Sequence, residues 1–106
     1  MTDSVSHALT ELKERLERLY GGRLKGVYLF GSHARNEADE ESDVDVLIVL
    51  DRLENYSREI GRTSELISEL SLSHGITISR VFASEEQWRG AQTLFFLNAR
   101  EEAIPA

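Results

Sequence analysis

Residues 30–48 read FGSHARNEADEESDVDVLI, and the rest of the fold is best read outward from them. The stretch begins at the end of one strand-like run, residues 24–30 (LKGVYLF). It finishes inside another, residues 44–50 (VDVLIVL). The second run is almost wholly apolar, which predicts a central strand covered on both faces. About a dozen residues without an amphipathic pattern separate the two runs, and so short a connection favours antiparallel neighbours. The end of the first strand then lies beside the start of the second. Gly31, Ser32, Asp43 and Asp45 are thereby predicted to share one edge of the sheet.

Side chains at i and i+2 of a strand point the same way, so Asp43 and Asp45 present two carboxylates on one face, about 7 Å apart along the chain. Glu37, Asp39, Glu40 and Glu41 add negative charge nearby. An acidic side chain inside an apolar strand is costly unless compensated. A hard divalent cation is one compensation, and Mg²⁺ suits one or two carboxylates plus substrate phosphates. Gly31 lets the backbone approach a ligand. Ser32 offers a hydroxyl, the following N–H groups can form a phosphate nest, and Arg35 brings a fixed positive charge. This set resembles the equipment for attack on a nucleoside triphosphate, where positioning and charge neutralisation supply most of the catalysis. The competing reading is a solvated acidic loop with Asp43 as a turn residue. Two other patterns fail. Gly21 to Gly26 has P-loop spacing, but Val27 stands at the lysine position. Asp39-x-Glu41-x-Asp43 starts like a calcium loop, but Val44 replaces its turn glycine.

Outside this stretch, Val5, Ala8, Leu9, Leu12, Leu16 and Leu19 recur at helical spacing over residues 4–20, and Gly21 and Gly22 end that helix. A second helix is predicted over residues 53–73 and closes at Gly75. Residues 76–82 (ITISRVF) follow as a third strand. A strand, a long helix and a strand imply a right-handed parallel crossover. Ser84-Glu85-Glu86-Gln87 is a capping-box pattern that starts a last helix, broken near Gly90 and resumed through Leu94, Phe95 and Leu97. The predicted class is α/β (α+β), a small mixed sheet with flanking helices in the order α-β-β-α-β-α.

The chain has 106 residues, which predicts a single domain over 1–106. Its net charge of −7 argues against direct nucleic-acid binding, which needs clustered Lys and Arg. The absence of cysteine excludes disulfides, thiolate metal sites and thiol catalysis. No apolar run approaches a bilayer span and the start carries no secretory pattern, so no membrane association and a cytoplasmic location are expected.

Residues 31–48, GSHARNEADEESDVDVLI, resemble the signature of the DNA polymerase beta-like nucleotidyltransferases, and most closely that of the minimal nucleotidyltransferases. That pattern is GSxARGxAxxxSDxDLLV. Gly31, Ser32, Ala34, Arg35, Ala38, Ser42, Asp43 and Asp45 match it. Asn36 stands where the pattern prefers Gly, a mild departure because Asn tolerates a left-handed backbone. The resemblance covers nearly the whole chain and implies that a hydroxyl attacks the α-phosphate of ATP while pyrophosphate leaves. It implies two Mg²⁺ ions held by catalytic Asp43 and Asp45, with Gly31, Ser32 and Arg35 binding the nucleotide. Family enzymes carry a third carboxylate on the third strand, where this chain has Thr77 and Ser79.

The resemblance further implies the antitoxin half of a toxin–antitoxin pair, transferring AMP to a helical HEPN-type toxin encoded nearby. The alternative is a catalytically weak or inactive module of the same fold that neutralises its partner by contact. About 100 residues leave no room for a separate acceptor-binding domain, so a second chain or a homodimer is expected to complete the site. His33 is read as a solvent-facing loop residue or a phosphate contact. Trp88, Phe95 and Phe96 are read as core or a dimer patch.

Overall fold

A computed structural model describes residues 3–39 and 42–106. The helical spacing of the N-terminal segment forms α1 (Asp3–Tyr20), whose buried stripe is Val5, Ala8, Leu9, Leu12, Leu16 and Tyr20. Leu12 and Leu16 are wholly buried, each worth about 1.5–3 kcal/mol relative to exposure. A 3₁₀ turn at Gly21–Arg23 leads into β1 (Leu24–Phe30). β2 (Val44–Leu50) pairs antiparallel with β1, as the short connection predicts, and Phe30 faces Asp45 across the pair.

The second helix, α2 (Tyr56–His74), starts three residues later than its apolar spacing suggests. The Asn55 side chain accepts a hydrogen bond from the Arg58 N–H and fixes the start. Leu53 therefore packs against the core from a loop. Gly75, at φ +64, closes the helix. β3 is Ile78–Ser84, shifted two residues from the predicted 76–82. The turn after Gly75 takes up Ile76 and Thr77, with the Ile76 N–H bonded to the Ser71 carbonyl. β3 runs parallel to β2, placing Ser79 opposite Asp45.

The C-terminal part differs from the predicted order. The capping box at Ser84 and Gln87 is present and starts α3 (Glu85–Gly90). The chain then breaks, and Thr93 caps a separate helix, α4 (Leu94–Glu102). A fourth strand follows, β4 (Ile104–Pro105), paired with Tyr28 and Leu29 of β1. Two residues carry no readable alternation, so β4 has no sequence signal. The sheet order is β3-β2-β1-β4.

Alternation along the strands divides the molecule into two layers around the sheet. Val27, Leu29, Val44, Val46, Ile48 and Leu50 pack with α1 and α2. Tyr28, Phe30, Leu47, Val49, Val81 and Ala83 pack with Trp88 and Phe96 on the other face. Tyr28 stacks on Trp88 with ring centroids 4.7 Å apart. β2 is thus covered on both faces over its second half, while Asp45 shares the α3/α4 face nearer the strand's start. No helix among the described residues is long and apolar enough to cross a membrane.

Candidate active site

The β1–β2 hairpin brings together the residues that sequence spacing singles out. Gly31 follows β1 at φ +73, and a Cβ there would collide with the Asp45 Oδ2 atom and lie 3.3 Å from its Cγ. Only a residue without a side chain leaves Asp45 its place and the backbone its left-handed turn. The loop then winds tightly. The Arg35 N–H donates to the Gly31 carbonyl at 3.1 Å, and the Glu37 N–H to the Ser32 carbonyl at 2.9 Å. Asn36 adopts φ +59, the left-handed conformation expected where the family pattern has Gly.

The far side of the loop is pinned just before Asp43. The Asp39 N–H donates to Ser42 Oγ at 3.0 Å, and the Ser42 hydroxyl donates to Asp39 Oδ1 at 3.2 Å. His33 Nε2 lies 3.4 Å from the Ser42 carbonyl, so His33 is half-buried and tied to the loop rather than free in solvent. Glu40 and Glu41, read as added negative charge, lie outside the described residues.

Asp43 is exposed at the mouth of β2, whereas Asp45 is half-buried inside it. Burial raises the Asp45 carboxyl above the usual carboxylate range, and the neighbouring Asp43 carboxylate raises it further. His33 and Arg35 pull it the other way. Among the described residues no group of three or more His, Asp or Glu side chains could hold a metal ion by itself. Two carboxylates, one of them desolvated and repelled by the other, still fit the partial oxygen shell that Mg²⁺ completes with water and phosphate.

Arg35, the predicted nucleotide ligand, is exposed and held between two carboxylates. It lies 3.1 Å from Glu37 and 3.1 Å from Glu102 at the end of α4. Sequence reasoning misses Glu102 because 67 positions separate it from Arg35. On β3 the residue opposite Asp45 is Ser79, half-buried, while Thr77 precedes the strand and is exposed. Neither supplies the third carboxylate.

Residues 9–97 match the model of the nucleotidyltransferase domain family. The chain is 39% identical over 79 residues to a Methanocaldococcus jannaschii protein provisionally named protein adenylyltransferase MJ0604, covering 74% of this chain and 73% of that protein. A solved structure provisionally described as a minimal nucleotidyltransferase aligns with a TM-score of 0.64 at 26% identity, over 100% of this chain and 97% of its own. The fold also aligns with a chain from a complex of tri-AMPylated Shewanella oneidensis HEPN toxin with MNT antitoxin. There the TM-score is 0.55 at 21% identity, over 96% of this chain and 70% of the other. With its domain match running from the first helix into α4 and its Gly-Ser and paired aspartates meeting at one sheet edge, the chain belongs to the nucleotidyltransferase enzyme family.

Proposed function

We propose that this chain is a single-domain, Mg²⁺-dependent protein adenylyltransferase that moves AMP from ATP to a hydroxyl of a helical HEPN-type toxin encoded nearby. In that role it is the antitoxin of a cytoplasmic pair and binds no nucleic acid directly. The observation that carries the reading is the meeting of Gly31 with Asp45 beside Asp43. The adenylyltransferase name of the relative and the AMPylated toxin beside the fold neighbour support the choice of nucleotide and acceptor.

The turn at Gly31 and Ser32 brings backbone and a hydroxyl to the triphosphate without a side chain in the way. Asp43 and Asp45 would hold Mg²⁺ at the sheet edge, and an ion bound there would supply charge neutralisation on the phosphates and a lower pKa for the attacking hydroxyl. Asp45 stands in the drier position, where electrostatic interactions are stronger than in water. Arg35 exchanges a carboxylate partner for a phosphate oxygen. The acceptor oxygen attacks the α-phosphorus, the bond to the pyrophosphate oxygen breaks, and the acceptor proton leaves to solvent or to a base on the partner.

Ser79 opposite Asp45 favours one second reading, a weak or inactive module that neutralises its partner by contact. One experiment separates the two. The chain is incubated with ATP, Mg²⁺ and the neighbouring HEPN-type protein, and the partner's mass is followed. A gain of AMP that Asp43→Asn and Asp45→Asn abolish supports the transferase. Tight binding without modification supports the contact module.

A further inference from the structure

α4 borders the site loop at both of its ends. Near its start, Phe95 meets Phe30 edge-to-face with ring centroids 5.6 Å apart, and Phe30 is the register partner of Asp45. At its end, Glu102 bonds Arg35 at 3.1 Å. The solvent-facing side of α4 is therefore a surface beside the catalytic edge.

That surface is apolar at one end. Leu94 is 74% exposed and Leu97 45%. Their spacing of three places them on one stripe, which continues four residues further to Glu101. Ala99 is the one buried residue of this nine-residue helix, so the two leucines do not serve the core. Single exposed leucines are ordinary. Here two share one stripe, on a helix whose other contacts reach Phe30 and Arg35 beside the site.

Resting on the transferase reading above, we infer that the Leu94–Leu97–Glu101 stripe of α4 is the surface on which the acceptor protein docks. The acceptor fits by presenting an apolar patch with a Lys or Arg opposite Glu101. A second copy of this chain fits less well, because a net charge of −7 on each copy opposes association. Docking beside Phe30 and Arg35 also places the acceptor next to the edge where its hydroxyl must arrive. A self-contact there would crowd that edge.

The test uses Leu94→Asp with Leu97→Asp, both at exposed positions, with folding checked by thermal melting. Affinity for the HEPN-type protein encoded beside the chain is measured by sedimentation, and Mg-ATP affinity by calorimetry. The expected result is a loss of partner affinity of about 10-fold or more with Mg-ATP affinity unchanged. Glu101→Lys should also weaken the complex and flatten its salt dependence. Unchanged partner affinity in the double variant overturns the proposal. So does a wild-type chain that ignores this partner, or one that is a dimer dissociated by the same substitutions. If the wild type binds the partner and never adds AMP, the transferase reading fails, while loss of binding in the double variant still supports docking on α4.

Discussion

Gly31 and Asp45 are joined by the absence of a side chain: a Cβ on Gly31 would fall on Asp45 Oδ2, and the glycine sits at φ +73. Gly31→Ala should therefore act twice. The left-handed backbone costs about 1–2 kcal/mol for an L-residue, and the methyl group must displace the carboxylate. Urea denaturation should report the first effect and Mg-ATP calorimetry the second. Shortening the aspartate in the same chain, Gly31→Ala with Asp45→Ala, should recover the part of the stability loss due to overlap and none of the binding. Strict additivity of the two substitutions would show that the residues do not share this space.

Asp45 also gives the metal-free protein a pH signature. Its carboxyl is raised in the folded chain, first by burial and then by Asp43. A carboxyl raised above its unfolded value binds more protons in the folded state within that window. Stability is therefore greatest below the unfolded pKa and is lost as pH rises through the folded one. Asp45→Asn should melt higher than the wild type at neutral pH without metal, and the gap should close below about pH 3. Adding Mg²⁺ should raise the wild-type melting temperature and leave the variant unmoved. A variant that melts below the wild type at neutral pH, without metal, contradicts this assignment.

The hairpin and the meeting of Gly31 with Asp45 at its end are legible in the sequence because both depend on near neighbours. A glycine after one apolar run, two aspartates entering the next, and a short connection suffice to bring Gly31 beside Asp45. What is not legible depends on distant chain. The sequence assigns Arg35 to the nucleotide and gives no sign of Glu102, which holds it from 67 positions away. β4 exists because Tyr28 and Leu29 offer an edge, not because Ile104-Pro105 has strand character. The two-residue shift of β3 arises from the turn after Gly75, which takes Ile76 and Thr77 out of a run whose apolar alternation begins with them. That shift matters for the site, since it leaves Ser79 inside the strand and Thr77 outside it.

A prediction remote from the site concerns Tyr20 and Glu59, both buried between α1 and α2. The Tyr20 hydroxyl donates to Glu59 Oε1 at 2.8 Å, and Arg62 lies 3.6 Å from the same oxygen. Burial, and then the bond to Glu59, holds the phenol far above its ordinary pKa, so it stays a donor. Tyr20→Phe keeps the ring and leaves a buried carboxylate short of one partner, at a cost of about 1–3 kcal/mol. Mg-ATP affinity should not change, because this pair sits on the opposite side of the sheet from the α3/α4 layer that Asp45 faces. A loss of nucleotide affinity at full folding would mean that the two layers are coupled.

The third strand offers the sharpest test of the catalytic role proposed for the Asp43–Asp45 edge. Ser79 is the parallel register partner of Asp45 and lies within β3, whereas Thr77 precedes the strand and gives its carbonyl to the Val44 N–H at 2.8 Å. A carboxylate at 79 would therefore stand next to Asp45, and one at 77 would reach outward into solvent. Ser79→Asp should raise AMP transfer by about 100-fold or more, since a positioned general base contributes 10²–10⁴-fold. Thr77→Asp should not. Ser79→Asn separates base from bulk, being the same size without a basic oxygen, and should leave the rate at the wild-type level. The added charge should also lower the metal-free melting temperature of Ser79→Asp, because a third carboxylate meets one already repelled by Asp43. Mg²⁺ should restore it. If Ser79→Asp binds Mg-ATP as the wild type does and transfers no faster, the proton is taken by a group outside this chain. The partner must then bring that base to the Asp43–Asp45 edge.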